Sequence, residues 1–158
     1  MGRELFTEEH EMFRKTLREF IEKELAPHAD EWEEAGEVPR EVFRRMGELG
    51  FLGMRYPKEY GGDDDILAEA ILHEELGRCK SGGVAADIGA HVGISMPHIL
   101  HYGTEEQKKK YLIPGIKGEK IGALGITEPD AGSDVAAIKT RAIKDGKDWV
   151  INGSKTFI

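Results

Sequence analysis

The stretch Leu124-Gly-Ile-Thr-Glu-Pro-Asp-Ala-Gly-Ser-Asp134 divides a chain that is helical in pattern before it from one that is strand-like after it. It presents hydroxyls at Thr127 and Ser133, carboxylates at Glu128, Asp130 and Asp134, and a glycine, Gly132, that permits close backbone approach. Such a loop can hold a ring rich in acceptors and donors. It can equally be a surface turn whose Asp and Ser side chains bond to their own backbone, and the residue types alone favour that second reading.

Downstream, residues 121–126 and 138–143 read as strands, and Trp149-Val-Ile151 leads into Asn152-Gly153, a pair suited to a two-residue hairpin turn. Residues 155–158 would begin the returning strand, so the chain stops inside a hairpin and reads as a fragment, because two isolated strands are marginally stable. Upstream, Phe13, Leu17, Phe20, Ile21 and Leu25 keep helical spacing from Thr7 onward, with Pro27 expected to end or kink the helix. A second helix is expected from Pro39, carrying Val42, Met46 and Leu49 on one face and stopping at Gly50. Residues 51–65, with Pro57, Gly61 and Gly62, read as a loop; 66–76 reads as a helix with Leu67, Ala70 and Ile71 on its apolar stripe. The Gly- and Ala-rich residues 80–93 and the apolar residues 94–102 read as further helices. Thr104-Glu-Glu-Gln107 has the reciprocal capping pattern of one more, expected to end near Ile113 because Pro114 follows.

With 22 Lys+Arg against 30 Asp+Glu the net charge is -8, which argues against nucleic acid and anionic membrane surfaces as partners. No run approaches the roughly 18 apolar residues of a spanning helix. One cysteine, Cys79, excludes an intrachain disulfide and a cysteine metal cluster. The first residues lack a signal or transit pattern, so the expected location is cytoplasmic, or an organelle such as the mitochondrial matrix after removal of a leader.

Thr127-Glu-Pro-x-x-Gly-Ser-Asp134, followed by Val135 and Ala136, resembles the first signature of the acyl-CoA dehydrogenase family. Leu49-Gly-Phe-Leu-Gly53, Pro57-x-x-Tyr-Gly-Gly62, Gly103-Thr-Glu-Glu-Gln107 and Val150-x-Asn-Gly-x-Lys155 extend the resemblance along the whole chain. It implies a mainly α fold: an amino-terminal helical domain over residues 1–118 and the start of a flavin-binding middle β-domain over 119–158. It implies FAD as cofactor, an acyl-CoA as substrate, and electron-transfer flavoprotein or another acceptor as redox partner, with a homotetramer as the usual assembly. By that resemblance Leu124, Gly125, Ile126, Thr127, Gly132 and Ser133 line the flavin, Ser133 also faces the CoA side of the substrate, and Phe157 and Ile158 belong to a second flavin-contacting segment. The reaction implied is dehydrogenation to the trans-2-enoyl-CoA, with the catalytic base in a carboxy-terminal bundle beyond these residues and the fragment alone inactive. A related flavin enzyme such as an acyl-CoA oxidase, or a non-catalytic helical interaction module, remains an alternative.

Other candidates weigh less. Glu128 is a tempting base, but local bonding is the favoured role. His91, His98 and His101 lack a neighbouring carboxylate or thiol cluster, which favours packing or hydrogen bonding over a metal site. Residues 82–93 contain no Gly-x-Gly-x-x-Gly and follow a helix, so FAD is not expected in a Rossmann fold. By resemblance residues 86–99 border the acyl pocket, with core packing an equal explanation for each. Lys108-Lys-Lys110 reads as a solvated face, with CoA phosphates as a second reading.

Overall fold

Apolar spacing and capping residues set where each helix starts and stops. The computed structural model describes residues 5–158, and its contacts divide the chain into two compact units, Met1–Ala123 and Leu124–Ile158. The first unit is helical: α1 (Glu8–Phe20), α2 (Ala29–Ala35), α3 (Arg40–Glu48), α4 (Ile66–Leu76), α5 (Gly82–Gly89), α6 (Met96–Tyr102), α7 (Glu105–Gln107) and α8 (Ile113–Ile116). The second holds an antiparallel hairpin of β1 (Arg141–Asp145) and β2 (Asp148–Asn152). Among the described residues no helix is long and apolar enough to cross a membrane.

Thr7 and His10 cap α1 reciprocally, and Thr104 and Gln107 do the same for α7. Leu17, Ile21 and Leu25 from the first helical run meet Met46, Ile71, Leu72 and Leu76 in one fully shielded core. Residues 51–65 are a loop, as their Gly and Pro content implies, yet Phe51, Leu52, Met54 and Tyr56 drive into that core. The loop folds back tightly enough that a side chain on Gly62 would overlap the Tyr56 and Gly53 carbonyls.

On α4 the buried positions include Ala68, Ile71, Leu72 and Leu76, whereas Ala70 is exposed, contrary to its place in the expected stripe. Glu69 and Glu75 are buried instead, each with arginine. Glu75 accepts from Arg18 Nε and Nη2 at 2.8 Å and from Arg14 Nη1 at 3.3 Å, and pairs with Arg78 Nε at 2.8 Å. The Arg18 guanidinium in particular holds the Glu75 carboxyl below the usual carboxylate range. Two arginines of α1 thereby lock onto α4 at a carboxylate that packing has removed from water.

Three prolines sit inside helical runs without ending them. Pro27 and Pro97 follow π-helical turns at Ile21–Leu25 and Ala90–Ser95, and Pro114 follows one at Lys108–Leu112. The helix expected to stop near Ile113 therefore continues to Ile116. In each case the residue before the proline donates five positions back: Ala26 to Ile21, Met96 to His91 and Ile113 to Lys108. The wider turn relieves the ring's clash with the preceding turn but strands the carbonyl whose next partner would be the proline nitrogen. Those carbonyls belong to Glu22, Val92 and Lys109. Glu22 and Lys109 are exposed residues that solvent can reach; Val92 is fully buried, and the Tyr56 hydroxyl donates to it. Burial also raises the Tyr56 phenol, so it stays a donor.

The strand expectations need correction at three places. Residues 121–126 form no strand and join no ladder; Gly122 N–H donates to His91 Nδ1 at 3.0 Å, and the Ile126 carbonyl accepts from Lys155 at 2.8 Å. The hairpin turns at Gly146-Lys147, between the paired Asp145 and Asp148, with Gly146 at φ +59°. Asn152-Gly153 ends β2 rather than turning it, because Gly153 answers to close packing: a Cβ there would overlap the Thr140 hydroxyl. Residues 155–158 are accordingly not a returning strand.

Tyr56→Phe should lower stability by about 1–3 kcal/mol, the usual penalty for a buried polar group left unpaired. Pro97→Ala restores a backbone donor, so in a chemical-denaturation double-mutant cycle the pair should lose less than the sum of the single changes. Strict additivity would show that Tyr56 does not serve the stranded carbonyl.

Candidate functional site

Burial in the second unit is scarce. Ala131 is its only buried apolar residue among those described, and beside it the Glu128 side chain is 5% exposed. A tight turn closes residues 128–131 through reciprocal backbone bonds, Glu128 N–H to Ala131 O at 2.8 Å and Ala131 N–H to Glu128 O at 3.2 Å. The turn directs the Glu128 carboxylate inward. There it accepts from Lys139 N–H (2.7 Å), Thr140 N–H (3.0 Å) and Lys155 Nζ (3.0 Å).

These donors keep the carboxylate ionised. Thr140, whose hydroxyl lies beside the carboxylate and whose N–H donates to it, acts most strongly, then the Lys139 N–H and the Lys155 ammonium; together they hold the Glu128 carboxyl at about 2. A carboxylate held there by three hydrogen bonds is ionised at neutral pH, so it has no proton to give and is too weak a base to take one. The local-bonding role expected for Glu128 is what its geometry displays.

The rest of the stretch separates into two groups. Asp134 accepts from Ala136 N–H at 3.2 Å and caps the short 3-10 turn Val135–Ala137, while Asp130 pairs with Lys139 at 2.8 Å on the surface. These residues behave as a self-satisfied turn. The hydroxyls of Thr127 and Ser133 and the backbone N–H groups of Ile126 and Thr127 are different: among the described residues they have no hydrogen-bond partner. Ser133, Gly132, Gly125 and Ile126 are exposed, and Leu124 and Thr127 half-buried.

The second segment lies beside the first. Thr156 N–H donates to the Thr127 carbonyl at 2.9 Å, Lys155 reaches the Ile126 carbonyl, and the Gly125 backbone borders the Ile158 side chain. Phe157 is 95% exposed. Residues 124–133 and 155–158 thus share one face of the unit. In the sequence Lys155 is marked only as the last member of a motif; its 27-residue separation from Glu128 leaves no periodic trace.

In the helical unit His91 is shielded completely, and both its ring nitrogens engage backbone. Nε2 donates to Gly115 O at 3.1 Å and Nδ1 accepts from Gly122 N–H at 3.0 Å, an arrangement only neutral imidazole satisfies. Burial lowers its pKa accordingly. His98 bonds the Ile94 carbonyl of its own helix at 2.8 Å. Lys108 is bound to Glu105 at 2.9 Å and to the Tyr60 hydroxyl, not freely solvated. Gly89 and Gly93 admit His73 and Glu69 of α4, so part of the small-residue run packs one helix on another.

Residues 7–119 match the family described as acyl-CoA dehydrogenase, N-terminal domain, and residues 123–158 match acyl-CoA dehydrogenase, middle domain. The chain is 42% identical to the mitochondrial long-chain specific acyl-CoA dehydrogenase of Mus musculus over 99% of its own length and 36% of that protein's. An acyl-CoA dehydrogenase crystal structure from Geobacillus kaustophilus superimposes with a TM-score of 0.91 at 44% identity, covering 99% of this chain and 41% of that one. One from Bacillus anthracis, described as complexed with FAD, gives 0.86 at 38% identity over 98% of this chain and 27% of that one. The chain therefore spans well under half the length of the proteins it matches.

Because folding depresses the Glu128 carboxyl, the stabilisation it gives is complete above the ordinary carboxylate value near 4.3 and is lost as pH falls from there through about 2. Carboxyl-carbon NMR should place its titration midpoint near 2; a midpoint near 4.3 would show the three donors unengaged.

Proposed function

The chain belongs to the acyl-CoA dehydrogenase family, and on that premise we propose that it supplies the first flavin-contacting elements of an FAD-dependent enzyme that converts an acyl-CoA thioester to its trans-2-enoyl-CoA. The observation that carries this reading is the strip of free donors at Ile126, Thr127 and Ser133, backed by the buried Glu128 and flanked by residues 155–158. A flavin ring offers acceptors along one edge, and a row of backbone and hydroxyl donors fits it without any formal charge. Gly132 points the same way. Its φ is not positive and a Cβ on it would meet nothing within 4 Å, so neither its own conformation nor packing within the chain accounts for a glycine there. Close approach of a ligand does.

The residues then divide the work. The Thr127 hydroxyl and the Ile126 and Thr127 N–H groups orient the ring, and the exposed Ser133 hydroxyl reaches both the flavin and the CoA side of the thioester. Leu124, Gly125, Phe157 and Ile158 give apolar contact and keep water from the reacting carbons. When bound, FAD supplies the acceptor for the hydride leaving the β-carbon and a ribityl hydroxyl toward the thioester oxygen. Proton abstraction from the α-carbon requires a base within hydrogen-bond reach. Glu128 is unavailable for it, and the base is assigned to a helical bundle outside residues 1–158. Electron-transfer flavoprotein or another acceptor reoxidises the enzyme, and the assembly is a homo-oligomer.

Dye-coupled oxidation of acyl-CoA substrates by the intact protein that carries this chain tests the reaction: sustained enoyl-CoA formation is expected, and its absence across short, medium and long chains with FAD bound would refute it. Thr127→Val in the same protein should weaken FAD binding by about 0.5–1.5 kcal/mol, the worth of one neutral hydrogen bond. An unchanged affinity and absorption spectrum would remove Thr127 from the flavin site.

A further inference from the structure

Lys155 holds two groups of the loop at once. Its ammonium donates to the Ile126 carbonyl at 2.8 Å and to Glu128 Oε1 at 3.0 Å, while the next residue, Thr156, donates its N–H to the Thr127 carbonyl at 2.9 Å. Two adjacent residues thereby fasten three adjacent residues, 126, 127 and 128. Glu128 cannot swing away with the lysine, because the Lys139 and Thr140 N–H groups hold it from another direction. The lysine side chain is 27% exposed, so the ammonium is partly shielded and its bonds are charge-assisted at both ends of the bridge.

The peptide plane converts this anchorage into aim. A trans peptide is rigid, and its C=O and N–H point in opposite directions. Fixing the Ile126 carbonyl toward Lys155 therefore turns the Thr127 N–H away from Lys155, toward the side where it has no partner among the described residues. We propose that Lys155 is a positioning residue for the flavin: by gripping the Ile126 carbonyl against Glu128 it orients the Ile126–Thr127 peptide and sets residues 157–158 beside it. The role rests on residues 124–133 forming the flavin site. It requires no contact between Lys155 and the cofactor.

Lys155→Met keeps the aliphatic stem and removes the ammonium; Lys155→Arg keeps a cation that can still reach a carbonyl and a carboxylate. In the intact protein carrying this chain, Lys155→Met should weaken FAD binding roughly tenfold, the scale of one lost charge-assisted hydrogen bond. It should also alter the visible circular dichroism of the flavin that remains and speed exchange of the Thr156 amide. Lys155→Arg should restore most of the affinity and the spectrum. Wild-type FAD affinity and an unchanged flavin spectrum in Lys155→Met, with wild-type protein binding FAD normally, would overturn the positioning role and leave the flavin site intact. Loss of FAD in both variants together with a lowered melting temperature would overturn it too, by showing a merely structural lysine. Failure of the wild-type protein to bind FAD would instead bring down the flavin site and this role with it.

Discussion

A carboxylate with almost no water around it organises the second unit. Residues 124–158 bury one apolar side chain among those described, far too little for the hydrophobic effect to hold a loop of irregular backbone in place. Glu128 replaces it with directed bonds from Lys139, Thr140 and Lys155, drawn from both sides of the hairpin. Charged acceptors make strong bonds, and the low exposure of this one keeps water from competing. The free donors of Ile126 and Thr127 exist as a surface only because their neighbours are fastened to that node.

The helical unit solves a different problem, how to keep proline in a helix. Widening the preceding turn displaces the ladder by one residue and leaves one carbonyl behind, harmless at Glu22 and Lys109 where the chain meets solvent. At Val92 it is not harmless, and Tyr56, carried inward by a loop of three glycines and one proline, supplies the missing donor. The loop at residues 51–65 is therefore as much a part of the core as the helices it connects.

Much of this was legible in the residues. Thr104 and Gln107 announce a helix start because capping is local chemistry, and the 66–76 helix follows from its apolar residues. What escaped reading depended on partners distant in the chain. Ala70 is exposed despite its place in the expected stripe, and Glu75 is buried because Arg14 and Arg18, 61 and 57 residues away, make burial of a glutamate tolerable. Asn152-Gly153 looks like a turn, but the chain turns at Gly146-Lys147, and Thr140 occupies the space that a side chain at 153 would need. In the candidate site the donors of the Thr127 stretch were visible as residue types; the lysine that orients them was not, since nothing local connects it to Glu128.

The π turns also bear on how this chain tolerates a change in length. Each is an α turn holding one residue more, and successive residues advance about 100° around a helix. Deleting a single residue between Ala90 and Ser95 would rotate the whole of α6 by about that angle, carrying Met96 off the core and bringing a polar position inward. The same deletion would return the ladder to ordinary α spacing just where Pro97 cannot donate. The extra residue and the proline after it are a matched pair, and either one gained or lost alone would leave the helix out of phase.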